Sequence, residues 1–515
     1  MSQTLLKALQ DPALYDHPVD GFTLMETHIS WVLLTGEYVY KVKKPVNFGF
    51  LDYSTLEQRA HFCREELRLN RRLAPSLYLD VIPVHGSETA PNLSGQGPVI
   101  EYMVKTRQFR QEDLLGNMER AGQLKAEHID ALAERLASFH DQIDQAPRSS
   151  EWGQPAQVHA PVAQNFEQIR GMLTAPEHLA QLDELELWAN TTYERLIPQL
   201  VQRKAEGFVR ECHGDIYLDN VTLVDGEVTL FDCIEFNDAF RWIDVMSDVA
   251  FMAMDLEDRG LPALSRRFVN GYLEHSGDYS GLAVLNYYKA YRAMVRAKVA
   301  LLRLGQEGVS EAERHAVFER YLGYTRLAES YTEIPLRYGL VTCGVSGSGK
   351  STLSLELVQR LGVIRLRSDV ERKRLFGQAP ADRSEGGLYN TQRSEQTYTR
   401  LSVLAAQVLA AGYPVVVDAT CIKRAQRSQL RELIERQGVP FLLIRCDAPL
   451  EVIESWLVKR QASGTDPSDA DIAVVRKQLQ DFEELSAEEQ LCAVLVHTDQ
   501  PDALRELADR LAARL

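Results

Sequence analysis

Residues 340–352 read LVTCGVSGSGKST, and this stretch decides the fold of the second half of the chain. Gly344 to Ser351 satisfies G-x-x-x-x-G-K-S/T at every fixed position. The apolar run Gly339 to Cys343 before it reads as a buried strand, and Leu353 to Leu361 after it has helical spacing. Strand, glycine loop and helix in that order form a cradle for phosphate. Glycines let backbone N–H groups turn toward the anion, and the helix N-terminus adds its partial positive charge. Gly344, Ser346, Gly347, Ser348, Gly349, Lys350, Ser351 and Thr352 are therefore the expected nucleotide-binding residues. Lys350 is placed to reach the β- and γ-phosphates, and Ser351 to ligate Mg²⁺.

Downstream, strands alternate with helices, which predicts a parallel sheet with right-handed crossovers. Val363 to Asp369 reads as a short strand ending in an acid, and Tyr413 to Thr420 as a strand of β-branched residues ending at Asp418. Asp369 suits a general base or an acceptor-positioning group. Asp418 suits the outer-sphere Mg²⁺ role of a strand-end acid. Arg460 stands in a Gly/Ser/Pro-bearing segment and reads as the phosphate-facing residue of a lid. Basic residues gather around both acids: Arg365, Arg367, Arg372, Lys373 and Arg374 near Asp369, and Lys423, Arg424 and Arg427 after Asp418. An anionic acceptor would account for them, and so would a solvated surface.

Upstream, His213-Gly214-Asp215-Ile216-Tyr217-Leu218-Asp219-Asn220 is followed by Asp232. Asp215 is spaced to orient or deprotonate an attacking hydroxyl, and Asn220 and Asp232 to hold Mg²⁺ on nucleotide phosphates. Such a site also needs a lysine on an early strand paired with a helical glutamate. Lys41 with Glu66 is the choice, with Lys43 and Glu65 as competitors on the same elements. Glu101 and Met103 stand where an adenine-binding hinge is expected. Lys289, Arg292 and Arg296 share a helix face, either solvated or facing an anionic acceptor.

Composition narrows the class. The chain has 515 residues, 45% hydrophobic and 25% charged, as in ordinary globular protein. Residues 336–515 carry 24 basic and 24 acidic residues, so the whole net charge of −16 lies in residues 1–335. An acidic domain of that size argues against duplex DNA and anionic membranes as partners. No apolar run approaches a membrane span. The seven cysteines form no C-x-x-C pair, so a reduced, cytoplasmic setting is the expectation.

Residues 213–220, 231–236 (FDCIEF) and 39–45 (VYKVKKP) resemble the aminoglycoside phosphotransferase-like branch of the protein-kinase fold. Residues 344–352, 367–375, 415–420 and the segment around Arg460 are similar to small P-loop kinases of the polynucleotide, gluconate and zeta-toxin types. The first resemblance implies a bilobal α+β domain, with an N-lobe and hinge at 1–104 and a helical C-lobe at 105–331. The second implies an α/β domain with a parallel sheet at 338–515, after a linker at 332–337. One departure stands out: no G-x-G-x-x-G precedes Lys41. Together they imply ATP, with GTP as the alternative, and Mg²⁺ at two kinase-type sites. The expected acceptors are a small-molecule hydroxyl for the first domain. For the second they are a small anionic metabolite or an RNA or DNA 5′ end. Two rivals remain at this stage: a toxin-like kinase acting on a nucleotide sugar or RNA, and a regulator whose N-terminal domain only binds ligand and gates the P-loop ATPase. Homo-oligomerisation is left open.

Overall fold

The computed structural model describes residues 3–49, 51–304, 310–378, 382, 390–463, 468 and 470–513, with the side chains of 460–463 left out. The chain divides into two compact units that interleave in sequence. One comprises Met1–Asp255 with Tyr291–Glu307, and the other Leu256–Ala290 with Gly308–Leu515.

The first unit opens with an antiparallel sheet. Its strands are β1 (Thr23–Glu26), β2 (Ser30–Leu34), β3 (Tyr38–Lys43), β4 (Tyr78–Ser87), β5 (Ala90–Asn92) and β6 (Val99–Arg107), in the order β1-β2-β3-β6-β4-β5. Alternation along β3 sends Tyr40 and Val42 into a core with Leu33, Val84 and Met103. It therefore sends Lys41 and Lys43 to the opposite face. That face meets the helix Leu56–Asn70, which begins with a Thr55/Gln58 capping box. Ala60, Cys63, Glu66 and Asn70 recur at helical spacing on its buried side, so Glu66 is the acid carried into the interior.

The rest of this unit is mainly helical and carries two small hairpin-like pairs. β7 (Val209–Glu211) pairs with β10 (Trp242–Asp244), and β8 (Val221–Val224) with β9 (Glu227–Leu230). Asp225 and Gly226, both at positive φ, make the turn between β8 and β9, as the Asp-Gly pair predicts. The helices Pro155–Arg170 and Pro176–Ala205 are separate, and Pro176 stands at the first position of the second, where its fixed φ suits a helix start.

The second unit holds a parallel five-stranded sheet. Its strands are β11 (Gly339–Cys343), β12 (Ile364–Arg367), β13 (Val415–Asp418), β14 (Phe441–Asp447) and β15 (Ala493–His497), ordered β12-β13-β11-β14-β15. β11 is buried throughout, and Leu340 packs with Leu353, Leu357, Val416, Ile444 and Leu507. Each such leucine contributes about 1.5–3 kcal/mol of burial, so this core pins the strand against the following helix Lys350–Leu361. The register sets Val341 beside Val417 and Arg367 beside Asp418. The carboxyl ends of β11, β12 and β13 thus converge at one edge, where ligands bind in open α/β sheets. The helix Pro262–Ser276 also belongs to this unit. Among the described residues no helix is long and apolar enough to cross a membrane.

Candidate active sites

In the first unit the structure joins Lys41, Glu66 and Asp232 by ion pairs, joins Asn220 to Asp215 by hydrogen bonds, and sets Asp215 within reach of the Asp232 charge. Lys41 Nζ donates to Asp232 Oδ1 at 2.7 Å and lies 3.0 Å from Glu66 Oε1. Burial opposes its charge, but Asp232 and Glu66 outweigh that and hold its pKa well above the ordinary lysine value. Asn220 Nδ2 donates to the Asp215 carbonyl at 2.9 Å and to its carboxylate at 3.2 Å. Burial pushes the Asp215 carboxyl up to about 6, against the pull of Arg296 and Arg292. A base poised there can accept a proton from a hydroxyl near neutral pH.

The loop that carries Asp215 is held by its backbone. The Asp248 carboxylate accepts from the amides of His213 and Gly214, both at 2.9 Å. Gly214 sits at φ +88, and a Cβ there would come within 2.6 Å of the Phe240 carbonyl, so glycine is required. His213, fully buried, bonds the Phe231 carbonyl through Nε2 at 2.9 Å and so ties the loop to the Asp232 segment. Asp232 itself lies at φ +65, a conformation that Asp tolerates and that concentrates at functional sites.

Both lysine candidates reach Glu66. Lys43 Nζ donates to Glu66 Oε2 at 2.6 Å and also bonds Glu235, which Tyr53 holds as well. Lys41 alone of the two meets Asp232. Glu65 is turned aside to Arg68 and Arg241. Glu101 and Met103 do not join this group. Glu101 is paired with Arg59 at 2.9 Å, and Met103 is buried in the sheet core. β6 runs on through Arg107, so the chain leaves the strand only at Gln108. Arg292 does not lie on a solvated face: it is buried and bonded to the Ser247 hydroxyl at 3.0 Å. Lys289 is likewise buried, on Glu257. Arg296 stacks over the Tyr217 ring.

In the second unit the phosphate loop follows β11 directly. Gly349 is at φ +79, and a Cβ there would press on Thr498 at 2.8 Å. Thr498 Oγ1 anchors the loop by donating to the Ser348 carbonyl at 3.0 Å. Lys350 Nζ bends back onto the Val345 carbonyl at 2.6 Å. Burial pulls its pKa below the ordinary value, although Asp418 and Asp369 both act to raise it. Among the described residues Ser348 Oγ is buried without a hydrogen-bond partner, which fits a phosphate oxygen as its acceptor. Asp418 Oδ2 accepts from Ser354 at 3.1 Å, one turn beyond Ser351. Hydroxyl and carboxylate oxygens of this kind fit a hard cation such as Mg²⁺. In the first unit, the Asn220 amide oxygen and the Asp232 carboxylate are hard oxygen donors of a kind that fits the same cation.

Asp369 lies in the first turn of the helix Ser368–Leu375, because β12 ends at Arg367. Arg372 holds its carboxylate at 2.6 Å. The other arginines around Asp369 also face carboxylates: Arg365 is paired with Glu274, Arg374 with Glu371, and Arg367 lies 3.9 Å from Glu274 and 3.8 Å from Asp418. The basic cluster is therefore largely neutralised from within. Arg460 stands in the helix Leu450–Ser463, and its side chain lies outside the described residues. Gln478, which carries no sequence signal, accepts from the Ser346 amide at 2.7 Å and donates to its hydroxyl at 3.1 Å. Lys43 was legible as the competitor of Lys41, and Glu235 only as a member of the stretch 231–236.

A lysine–glutamate pair beside an Asp/Asn loop, together with a glycine loop backed by a strand-end acid, defines a kinase-type phosphotransferase that binds ATP. An aminoglycoside phosphotransferase-like domain is joined here to a P-loop domain. The comparisons agree: residues 34–285 match the phosphotransferase enzyme family and residues 340–485 match an AAA domain. An uncharacterized protein of Mycobacterium tuberculosis (strain H37Rv) is 31% identical over 467 residues, covering 89% of this chain and 90% of that protein. The chain belongs to the family of that mycobacterial protein. An adenylyl-sulfate kinase of Myxococcus xanthus is 31% identical over 117 residues, which is 22% of this chain and 60% of that protein. A choline/ethanolamine kinase family protein from Mesorhizobium loti aligns in structure at a TM-score of 0.41 with 11% identity, covering 64% of this chain and 96% of that one.

Proposed function

We propose that each end of the chain transfers the γ-phosphoryl group of ATP to a hydroxyl acceptor. Lys41 hydrogen-bonded to Asp232 and ion-paired with Glu66, with Asn220 bonded to Asp215 beside them, is the observation that carries this reading. In the first unit Asp215 accepts the proton of a small-molecule hydroxyl, and Lys41, steadied by Glu66, holds the nucleotide phosphates. Asn220 and Asp232 would hold Mg²⁺. In the second unit Lys350 and the loop amides hold the β- and γ-phosphates, Ser351 and Asp418 would hold Mg²⁺, and Asp369 orients the acceptor. Mg²⁺, when bound, would offset charge on the phosphates. Catalysis of this kind rests on positioning and electrostatics rather than covalent chemistry.

The acceptor of the second unit is a hydroxyl of a small anionic metabolite or of a nucleic-acid 5′ end. The likeness to an adenylyl-sulfate kinase supports the former. The test is a screen of γ-labelled ATP against metabolite extract and 5′-hydroxyl oligonucleotides. Lys350→Ala should remove one labelled product and Asp215→Ala a different one. If Asp215→Ala leaves every product in place, the first unit is not a phosphotransferase.

A further inference from the structure

The helix Pro262–Ser276 lies within the span that matches the phosphotransferase enzyme family, yet it belongs to the compact unit built around the phosphate loop. Three of its side chains reach that unit's nucleotide-binding elements. Arg266 donates to the carbonyls of Gln359 and Arg360, both at 2.9 Å, and so caps the last turn of the phosphate-loop helix. Asn270 accepts from the Arg365 amide at 2.8 Å and donates to the Val363 carbonyl at 3.4 Å. It thereby serves the free edge of β12 as a neighbouring strand would.

The third side chain, Glu274, bears on the chemistry. Its Oε1 takes Arg365 Nε at 2.6 Å, and both groups are buried. Arg365 Nη1 in turn donates to the carbonyl of Ser351 at 3.2 Å. Arg367 stands between two carboxylates, 3.9 Å from Glu274 Oε2 and 3.8 Å from Asp418 Oδ2. Glu274 thus supplies the counter-charge for both arginines. Without it, buried Arg365 would lose its carboxylate partner, and Arg367, half-buried, would keep Asp418 as the other carboxylate of this pair.

We propose that Glu274 is a positioning residue for the phosphate-loop site: it holds Arg365 on the Ser351 turn and keeps Arg367 from claiming Asp418, so that Asp418 stays available to the Mg²⁺ that accompanies ATP. The proposal rests on the reading of Ser351 and Asp418 as the metal-facing pair. It makes a helix from the phosphotransferase-matching span part of the working P-loop domain.

The test uses the full chain carrying Asp232→Asn, which silences metal binding in the first unit, and the fluorescent nucleotide mant-ATP. Binding that is lost on Lys350→Ala reports the phosphate loop, and its absence from the parent would overturn the underlying reading rather than the role of Glu274. Glu274→Gln should raise the Mg²⁺ concentration for half-maximal binding by about ten-fold or more, the scale of outer-shell losses at metal sites. Adding Arg367→Leu should bring that value back toward the parent, because the competing cation is gone. An unchanged Mg²⁺ titration in Glu274→Gln, or a double variant no closer to the parent than the single one, would overturn the proposal. Should Glu274→Gln fail to fold, Glu274→Asp with and without Arg367→Leu gives the same comparison.

Discussion

The Lys41 ammonium sits 2.7 Å from Asp232 Oδ1, so each is the other's counter-ion. A nucleotide phosphate and a divalent cation would take up both charges together. The two residues should therefore act as one device. Lys41→Met and Asp232→Asn should each lower the Asp215-dependent phosphotransfer by about 10²–10³-fold, on the scale of losing one preorganised charge contact. The double variant should be little worse than either single one. Steady-state kinetics check this, and fully multiplicative losses would refute it.

Asp215 titrates near 6, raised by burial. Deprotonated Asp215 is the form that accepts a proton, so the first unit's kcat/KM should fall as pH drops below about 6. The stability effect has the opposite sense. The folded chain binds this proton more tightly than the unfolded chain, so stability is lost as pH rises from about 4 to 6. Asp215→Asn should therefore raise stability at pH 7.5 by up to about 3 kcal/mol and change it little at pH 4. Urea unfolding at the two pH values checks the sign.

Glu66 and Glu65 are adjacent in sequence and differ in what they hold. Glu66 is buried between Lys41 and Lys43, whereas Glu65 sits on Arg68 near the surface. Glu66→Gln should cost about 3–5 kcal/mol, because it strands buried ammonium groups. Glu65→Gln should cost under about 1 kcal/mol. Equal shifts in unfolding midpoint would contradict the assignment.

Gln478 occupies the amide and hydroxyl of Ser346 at the mouth of the phosphate loop. A phosphate oxygen would have to displace this neutral partner. Gln478→Ala should tighten mant-ATP binding by about two- to ten-fold, the worth of one ordinary hydrogen bond. Weaker binding would show that the amide belongs to the nucleotide-bound arrangement instead.

Much of the fold was legible from contiguous patterns. The strand–loop–helix at 339–361 and the loop at 213–220 announce themselves because their chemistry needs fixed local spacing. Period-2 alternation in β3 places Lys41 and Lys43 on one face, and the period of the helix Leu56–Asn70 sets the direction of Glu66. The bounds of β12 were less legible. β12 ends at Arg367 and Asp369 falls in the first turn of the next helix, a difference of two residues that local apolar runs do not resolve.

By itself, then, the sequence determined the strand–glycine loop–helix at 339–361 and the spacing that sets Asp215, Asn220 and Asp232 in one short stretch of chain. Those residues are linked by short, directional stretches of backbone. Tertiary structure alone decided which lysine meets Asp232, because Lys41 and Lys43 share a face and only the approach of the loop that follows β9, 191 residues away, distinguishes them. It also decided that Gln478 meets Ser346 across 132 residues and Glu274 meets Arg365 across 91. Such contacts follow from packing of sheet edges and helix faces, and no local periodicity encodes them.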